Sequence, residues 1–421
     1  MDRVVMVDGF SSGKHLARRL KESACVLRHL ASSAALDSYY YAGFDGSLYE
    51  DLLVNRDIEA TVAWVEGFAP QFIIAGAESG VLLADLLNER LDLPYRNRFD
   101  RTKARRNKYE MIRCVAQAGL AAAQQCVVDS WVAAGDWIRG NGRFPVVIKP
   151  LESAGADGVA VCNDLEACEV AFRSLLGKRN RLNSDNVQVL IQEYLVGVEY
   201  VVNMVSLRGR QLVTEVVRYR KQRLGCGSVI YDIDELVAPD DPAFQVLVGY
   251  TRDVVHCLGI ENGPSHAEVM LTGTGPKLVE IAARTDGILR PGVSEQTTGL
   301  GQIEATALSI AKPAEFERLL VARTSYRLLQ NTYNVSLINR LQGRFYRDEF
   351  MKELRSLESF FEAVFYLEDG QPVATTRDVF SQPGTVYLVH PDPEVIRADY
   401  FRIRVLEEAG IYLRPLLGGG I

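Results

Sequence analysis

Two glutamates set to face each other across a hairpin constrain this chain more than any other feature. In SHAEVMLTGTGPKLVEIAARTDG, residues 265–287, both flanks alternate as strands do. Ala267, Val269 and Leu271 form one apolar face, as do Val279, Ile281 and Ala283, while His266, Glu268, Glu280 and Arg284 share the opposite faces. Residues 272–276, TGTGP, supply the turn. Closure centred on Thr274, midway between the two acids, puts Glu268 opposite Glu280 with Cβ atoms about 5 Å apart. Two facing carboxylates repel, and a hard divalent cation turns that repulsion into a binding site. Mg2+ in particular takes one or two carboxylates together with substrate phosphate oxygens. The competing reading is a hairpin whose outer face is merely polar. In the metal reading, removing Glu280 relieves a repulsion in the metal-free protein.

The 421 residues, 48% hydrophobic and 24% charged, suffice for two or three domains with their own cores. A net charge of -7, with one short basic segment at 101–108, argues against a nucleic-acid partner and for small-molecule substrates. Seven cysteines without a CxxC pair fit buried thiols in a reducing cytoplasm. The early apolar run at 4–7 is stopped by Asp8 and no later run reaches a membrane span, so a cytoplasmic protein without membrane contact is expected.

Residues 1–94 alternate strands and helices (4–7, 13–22, 71–75, 78–90), the pattern of an α/β unit on a parallel sheet. DGFSSGKH fails the phosphate-loop spacing at Asp8 and His15; Gly9 and Gly13 instead shape a strand-to-helix turn that holds an anion or closes the fold. Glu78 follows the strand FIIAGA, where open α/β sheets bind ligands; the alternative is an acid in a helix's first turn. Residues 100–119 read as one helix with Tyr109, Ile112, Val115 and Ala116 as its apolar stripe and Lys108 off it. FPVVIKP, 144–150, is a strand ending in Lys149, followed by small residues whose amides can approach phosphate oxygens. Asn163 with Glu166 reads as the capping box of a helix to about 176, and 187–193 as a strand. Glu199, Val201 and Asn203 share a face of the next strand. A carboxylate at Glu199 can accept both hydroxyls of a ribose, or belong to a polar outer face. A glycine-bearing loop follows at 222–228. Strands at 363–367, 376–380 and 384–389, a hairpin signal at Asp369-Gly370 and a helix at 392–409 suggest an α+β lobe over the site.

In this order, Lys108, FPVVIKP with its glycine loop, QEYLVGVE, HAE and EIAAR resemble the ATP-grasp superfamily over 107–310, with 1–94 similar to the α/β domain preceding it. GPSHAEVMLT and GPKLVEIAAR look most like the bacterial L-amino acid ligases, which make dipeptides, including those of peptide antibiotics and tabtoxin-like toxins. The resemblance implies a fold of class α/β and α+β: an N-terminal α/β domain at 1–95, an ATP-grasp domain at 96–312 with a mobile lid at about 125–195, and a C-terminal α+β lobe at 313–421. It gives Lys108 and Lys149 to the ATP phosphates and Ser153, Gly155 and Gly158 to the loop over them. It gives Glu193, Tyr194 and Leu195 to adenine and Glu199 to ribose. Glu268 and Glu280 become ligands of Mg2+, or of Mn2+ in its place, and Arg284 and Lys149 serve the transferred phosphoryl group. His266, Ile288, Arg290 and Glu78 fall to the amino acids. Arg290 pairs with a substrate carboxylate or with Asp286. Ala282 stands where many members carry a third metal ligand, Asn, and RTDG at 284–287 replaces a Pro-Gly-Gly type sequence, which alters the acyl pocket.

The implied activity is an ATP-dependent, ADP-forming ligation of two L-amino acids through an acyl phosphate, with amino acids as partners and room for a homodimer. An ATP-grasp ligase or carboxylase with another acceptor, and an ATP-binding protein without turnover, are the alternatives. The last should have lost Glu268, Glu280 or Arg284, and all three are present.

Overall fold

The run RVVMV is buried at every position after its first, and in a computed structural model of the chain it is the strand Arg3–Val7. The structure describes residues 2–34, 41, 43–152, 158–179, 185–223, 229–378 and 381–414. Arg3–Val7 lies between Val26–Ala31 and Phe72–Ala75, with Asp51–Val54 outermost, and all pairings are parallel. Helices Gly13–Glu22, Ile58–Phe68 and Val81–Arg90 complete the expected α/β unit. Glu78 is a first-turn acid, of the 3-10 helix Glu78–Gly80 that leads into Val81–Arg90.

The single helix expected over 100–119 is broken. Thr102–Arg106 ends at Asn107, whose extended backbone (φ -96, ψ 117) lets its side chain accept from Glu110 N and cap a new helix, Lys108–Gln117. The restart shifts the buried stripe to Met111, Ile112, Cys114 and Val115, leaving Ala116 exposed. Lys108 thereby becomes a first-turn residue, its N–H donating to Leu151 O at 2.9 Å.

A four-stranded antiparallel sheet, in the order Gln125–Val128, Val189–Glu193, Val146–Pro150 and Ala160–Cys162, packs against helices Trp131–Asn141 and Leu165–Leu175. The second helix is capped by Asp164, which accepts from Ala167 N; Asn163 stands one residue too early, and no capping box forms with Glu166.

The largest sheet is antiparallel and eight-stranded among the described residues. Its order is Gly275–Ala282, Gly263–Thr272, Gly197–Leu207, Arg210–Arg223, Val229–Leu236, Asn331–Ser336, Gly384–His390 and Phe360–Phe365. The last three strands come from the C-terminal hundred residues, so that region extends the central sheet and is not merely laid over it. The hairpin read at Asp369-Gly370 does not form, because Phe360–Phe365 pairs with Gly384–His390 while Pro372–Val373 pairs with Gly343–Phe345. Of the strand expected at 376–380, Thr376, Arg377 and Asp378 are not extended into a sheet, and 379–380 lie outside the described residues. The helix expected at 392–409 is Pro393–Glu408, capped by Asp392.

Candidate active site

Glu268 and Glu280 are direct cross-strand partners, but not by the symmetry that suggested it. The turn has two residues, Gly273 and Thr274, and pairs Thr272 with Gly275, whose φ of +110 is a conformation suited to glycine. Carried inward, that register would set Glu268 against Val279. A shift between Glu268 and Val269 leaves Val279 without a partner and restores the glutamate pair. Leu278 rather than Val279 therefore fills the apolar face, fully buried against Val269.

The two lysines beside this pair come from separate elements, the helix Lys108–Gln117 and the strand Val146–Pro150. Lys108 Nζ lies 3.1 Å from Glu280 Oε2, and the Glu268 and Glu280 side chains remain 18% and 31% exposed. Lys149, at the end of its strand, is buried and donates to Gln192 Oε1 at 2.9 Å. Burial and Lys108 depress its ammonium to about 8, against the pull of Glu280 and Glu268. Burial alone would raise the Glu280 carboxyl, but Lys108 and Lys149 outweigh it and hold the group down at about 2. The carboxylates and lysines thus form one mutually neutralising set.

Arg284 is fixed from the N-terminal unit. Its Nε donates to Glu78 Oε2 at 3.1 Å and its Nη1 to Thr285 O at 2.9 Å, while Arg106 takes the other oxygen of Glu78. Burial opposes the charge on Glu78, yet the two guanidiniums keep it below the usual carboxylate range. Glu78 is therefore bound up with protein cations and holds Arg284 in place. The loop with Gly9 and Gly13, for which holding an anion and closing the fold were the two readings, ties to the 285–287 segment: Ser12 Oγ lies 2.7 Å from Thr285 Oγ1, and Ser11 Oγ donates to Gly287 O at 3.4 Å.

His266 Nδ1 is 2.9 Å from Asn203 Oδ1 and 3.5 Å from Asp286 Oδ2, and its Nε2 is 3.7 Å from Glu268. Arg290 stacks over the Tyr387 ring at 5.9 Å, whose hydroxyl donates to Ile288 O. Asp286 instead accepts from Asn203 and from Ile288 N, and among the described residues no Arg290–Asp286 salt bridge forms.

At the start of the strand Gly197–Leu207 both oxygens of Glu199 accept from Lys221 Nζ at 2.8 Å, and Glu193 accepts from Lys277 at 2.6 Å. Glu193, Tyr194 and Leu195 lie where the smaller antiparallel sheet passes into the central one. Gly158 has φ +71, and a Cβ there would meet Leu175 and Pro150. Ser153 and Gly155 lie outside the described residues, as do 224–228 of the second glycine loop. Lys221 was missed by sequence reasoning although it alternates with Glu215, Val217 and Tyr219 on one face of RQLVTEVVRYRKQR.

Among the described residues no group of three or more His, Cys, Asp or Glu could hold a metal ion. Two facing carboxylates are what the site offers, and Ala282 opposite His266 supplies no third donor. That set suits a hard cation completed by phosphate oxygens, which Lys108 and Lys149 stand ready to receive.

The family model for the ATP-grasp domain matches residues 142–290, a span holding Lys149, Glu199, Glu268, Glu280 and Arg284. Dapdiamide A synthase of Enterobacter agglomerans is 32% identical over 409 residues, covering 96% of this chain and 95% of that protein. The chain belongs to the ATP-grasp family. The fold agrees: an L-amino acid ligase from Bacillus licheniformis superposes with TM-score 0.74 at 16% identity, covering 96% of this chain and 97% of that one. An N5-carboxyaminoimidazole synthase from Aspergillus clavatus, solved with ADP and 5-aminoimidazole ribonucleotide, gives TM-score 0.69 at 13% identity over 97% and 99%. This ATP-grasp protein is an ATP-dependent carboxylate–amine ligase that forms C–N bonds, and enzymes of its kind use ATP with a divalent cation.

Proposed function

We propose that this ligase joins two L-amino acids into a dipeptide, releasing ADP and phosphate. The observation that carries the reading is the convergence of Lys108, Lys149, Glu268, Glu280 and Arg284 beside a cavity lined by Asp286 and Arg290. In this reading Lys108 and Lys149 neutralise the phosphates, Gly158 with Ser153 and Gly155 encloses them, Glu193 to Leu195 meets adenine, and Glu199 takes the ribose with Lys221 beside it. Glu268 and Glu280 hold Mg2+, which supplies positive charge to the phosphoryl oxygens. The first amino acid's carboxylate attacks the γ-phosphorus and the bond to the bridging oxygen breaks. Arg284, positioned by Glu78, compensates the charge on the transferred group. The second amino acid's amine then attacks the acyl carbon, the phosphate leaves with the bonding pair, and the amine sheds a proton. His266 links Glu268 to the 284–290 segment, where Ile288 and Arg290 face the amino acids. An antibiotic-type dipeptide is the expected product. The reading is of a cytoplasmic enzyme; no described helix is long and apolar enough to cross a membrane.

Phosphate release screened over pairs of amino acids, with mass spectrometry of the products, tests this directly. Turnover of ATP only to AMP and pyrophosphate would sink it. Two variants test the roles. Glu78→Gln should lower kcat about ten- to a hundredfold with little change in KM for ATP, because a supporting partner of a charged group is lost; an unchanged kcat would show that Arg284 does not need its anchor. Arg290→Met should raise KM for one amino acid about tenfold or more, since losing a desolvated charged hydrogen bond costs about 2–5 kcal/mol. The KM for ATP should hold steady, and amino-acid KM values that do not move would return Arg290 to a structural role against Tyr387.

A further inference from the structure

Next to the 286–290 segment the central sheet lines a small cavity, of about 40 Å3, that opens to solvent. Glu215, Asp234, Thr332 and Asn334 reach it from three adjacent strands, and Asp286 and Arg290 from the segment above. Its three carboxylates are not alike. Glu215 accepts from Thr214 Oγ1 at 2.9 Å, Ser294 Oγ at 3.1 Å and Gln302 N at 3.3 Å. Asp286 accepts from Asn203 and Ile288 N. Asp234 is 4% exposed, yet its Oδ1 has no hydrogen-bond partner among the described residues. The same is true of Asn334 Oδ1, on the residue directly across the strand pair, and of Thr332 Oγ1.

Folded proteins keep very few buried polar atoms unpaired, and each needs a cause. Asn334 can only accept through this oxygen, as can Asp234 once its carboxyl is ionised, so a cationic donor that arrives with a ligand serves both. Water could supply hydrogen bonds but not positive charge. Burial, with Asp286, Glu199 and Glu268 nearby, pushes the Asp234 carboxyl up to about 8 despite Lys221, and burial drives Glu215 to about 7. Acidic groups outnumber cations at this end of the cavity. At Arg290 the balance reverses: burial together with the Arg290 guanidinium lowers Lys14 and holds His15 down at about 4. The cavity is thus polarised, basic at Arg290 and acidic at Asp234.

We propose that Asp234, with Asn334 and Thr332, is an ammonium subsite, and that one of the two amino acids joined is a diamino acid whose side-chain ammonium enters it. This rests on the amino acid ligase reading above. An α-ammonium does not reach: Asp234 lies three strands from the Glu268 strand, about 14 Å at ordinary strand spacing, whereas an α-nitrogen stays within about 3 Å of its own carboxyl carbon. A side chain of several carbons spans much of that gap.

The experiment compares wild type with Asp234→Asn, which keeps shape and removes charge, and with Thr332→Val in case the first fails to fold. Lysine and ornithine are set against norleucine and norvaline, and norleucine against hexanoate. Binding is measured by calorimetry with Mg2+ and a non-hydrolysable ATP analogue, and turnover by phosphate release and product mass. Wild type should bind at least one diamino acid about tenfold or more tighter than its uncharged counterpart. Asp234→Asn should erase that preference, raising KM for the diamino acid while KM for ATP and kcat with uncharged pairs hold, and Thr332→Val should weaken it in the same direction. Equal binding of charged and uncharged members by wild type, or an equal loss for both in the variants, overturns the subsite. So does a loss in Asp234→Asn of the preference for norleucine over hexanoate, which would place an α-ammonium there. A preference lost in Asp234→Asn, with no peptide product from any pair, retains the subsite and removes the ligase reading instead.

Discussion

Glu280→Gln is expected to lower ATP-dependent turnover about a thousandfold or more, and also to lower the melting temperature of the metal-free protein by a few degrees. The first effect follows from losing one of two carboxylates where charge on transferring phosphoryl oxygens must be met, an interaction worth several kcal/mol. The second reverses what facing carboxylates suggest from sequence. Lys108 at 3.1 Å and Lys149 nearby answer Glu280 before any metal does, so removing its charge leaves two buried ammonium groups with Glu268 as their one remaining carboxylate. Its folded-state carboxyl lies below the ordinary 4.5, at about 2, so its contribution to stability is present above pH 4.5 and is lost as pH falls toward 2. Thermal melts at pH 7 in chelator, beside phosphate-release kinetics with Mg2+, check both parts. A variant as stable as wild type without metal would mean that carboxylate repulsion dominates the pair after all.

Alternation and residue type made the facing carboxylates and their lysines legible in the sequence, and what escaped was set by geometry that alternation does not encode. The glutamate pair was read correctly from an incorrect centre of symmetry, because a bulge at Val279 compensated for a shorter turn. The break at Asn107 was missed because Thr102–Arg106 and Lys108–Gln117 are each good helix sequence; only the tie from Lys108 N to Leu151 O makes the interruption necessary. Short or irregular strands such as Asp51–Val54 and Pro372–Val373 carry too few residues for a period to show. Lys221, Asp234 and Asn334 were invisible as a group, since Asn334 reaches the other two through a strand from the C-terminal third that joins the central sheet. Sequence order gives no hint that Asp234 lies opposite Asn334.

Lys149→Met should abolish measurable ligation while leaving the nucleotide-free protein at least as stable as wild type. The loss of activity follows from removing a buried point charge that no other residue of its strand replaces; several kcal/mol of phosphate neutralisation corresponds to about a thousandfold or more in rate. The stability effect follows from the depression of its ammonium from 10.5 to about 8, caused first by burial and then by Lys108. That depression represents about 3 kcal/mol held against the charged form. Losing the bond to Gln192 Oε1 leaves a buried acceptor unpaired and costs about 1–3 kcal/mol in return. Below pH 8 both folded and unfolded chains are protonated here and the full penalty applies. Between about 8 and 10.5 the unfolded chain binds the extra proton, so wild-type stability gains on the variant as pH rises. Melting curves of wild type and variant at pH 7 and pH 9.5, both free of nucleotide and metal, should therefore converge or cross toward the higher pH. A variant that melts well below wild type at pH 7 would show that Lys149 holds the fold together, and that its burial is structural rather than a strain kept for binding phosphate.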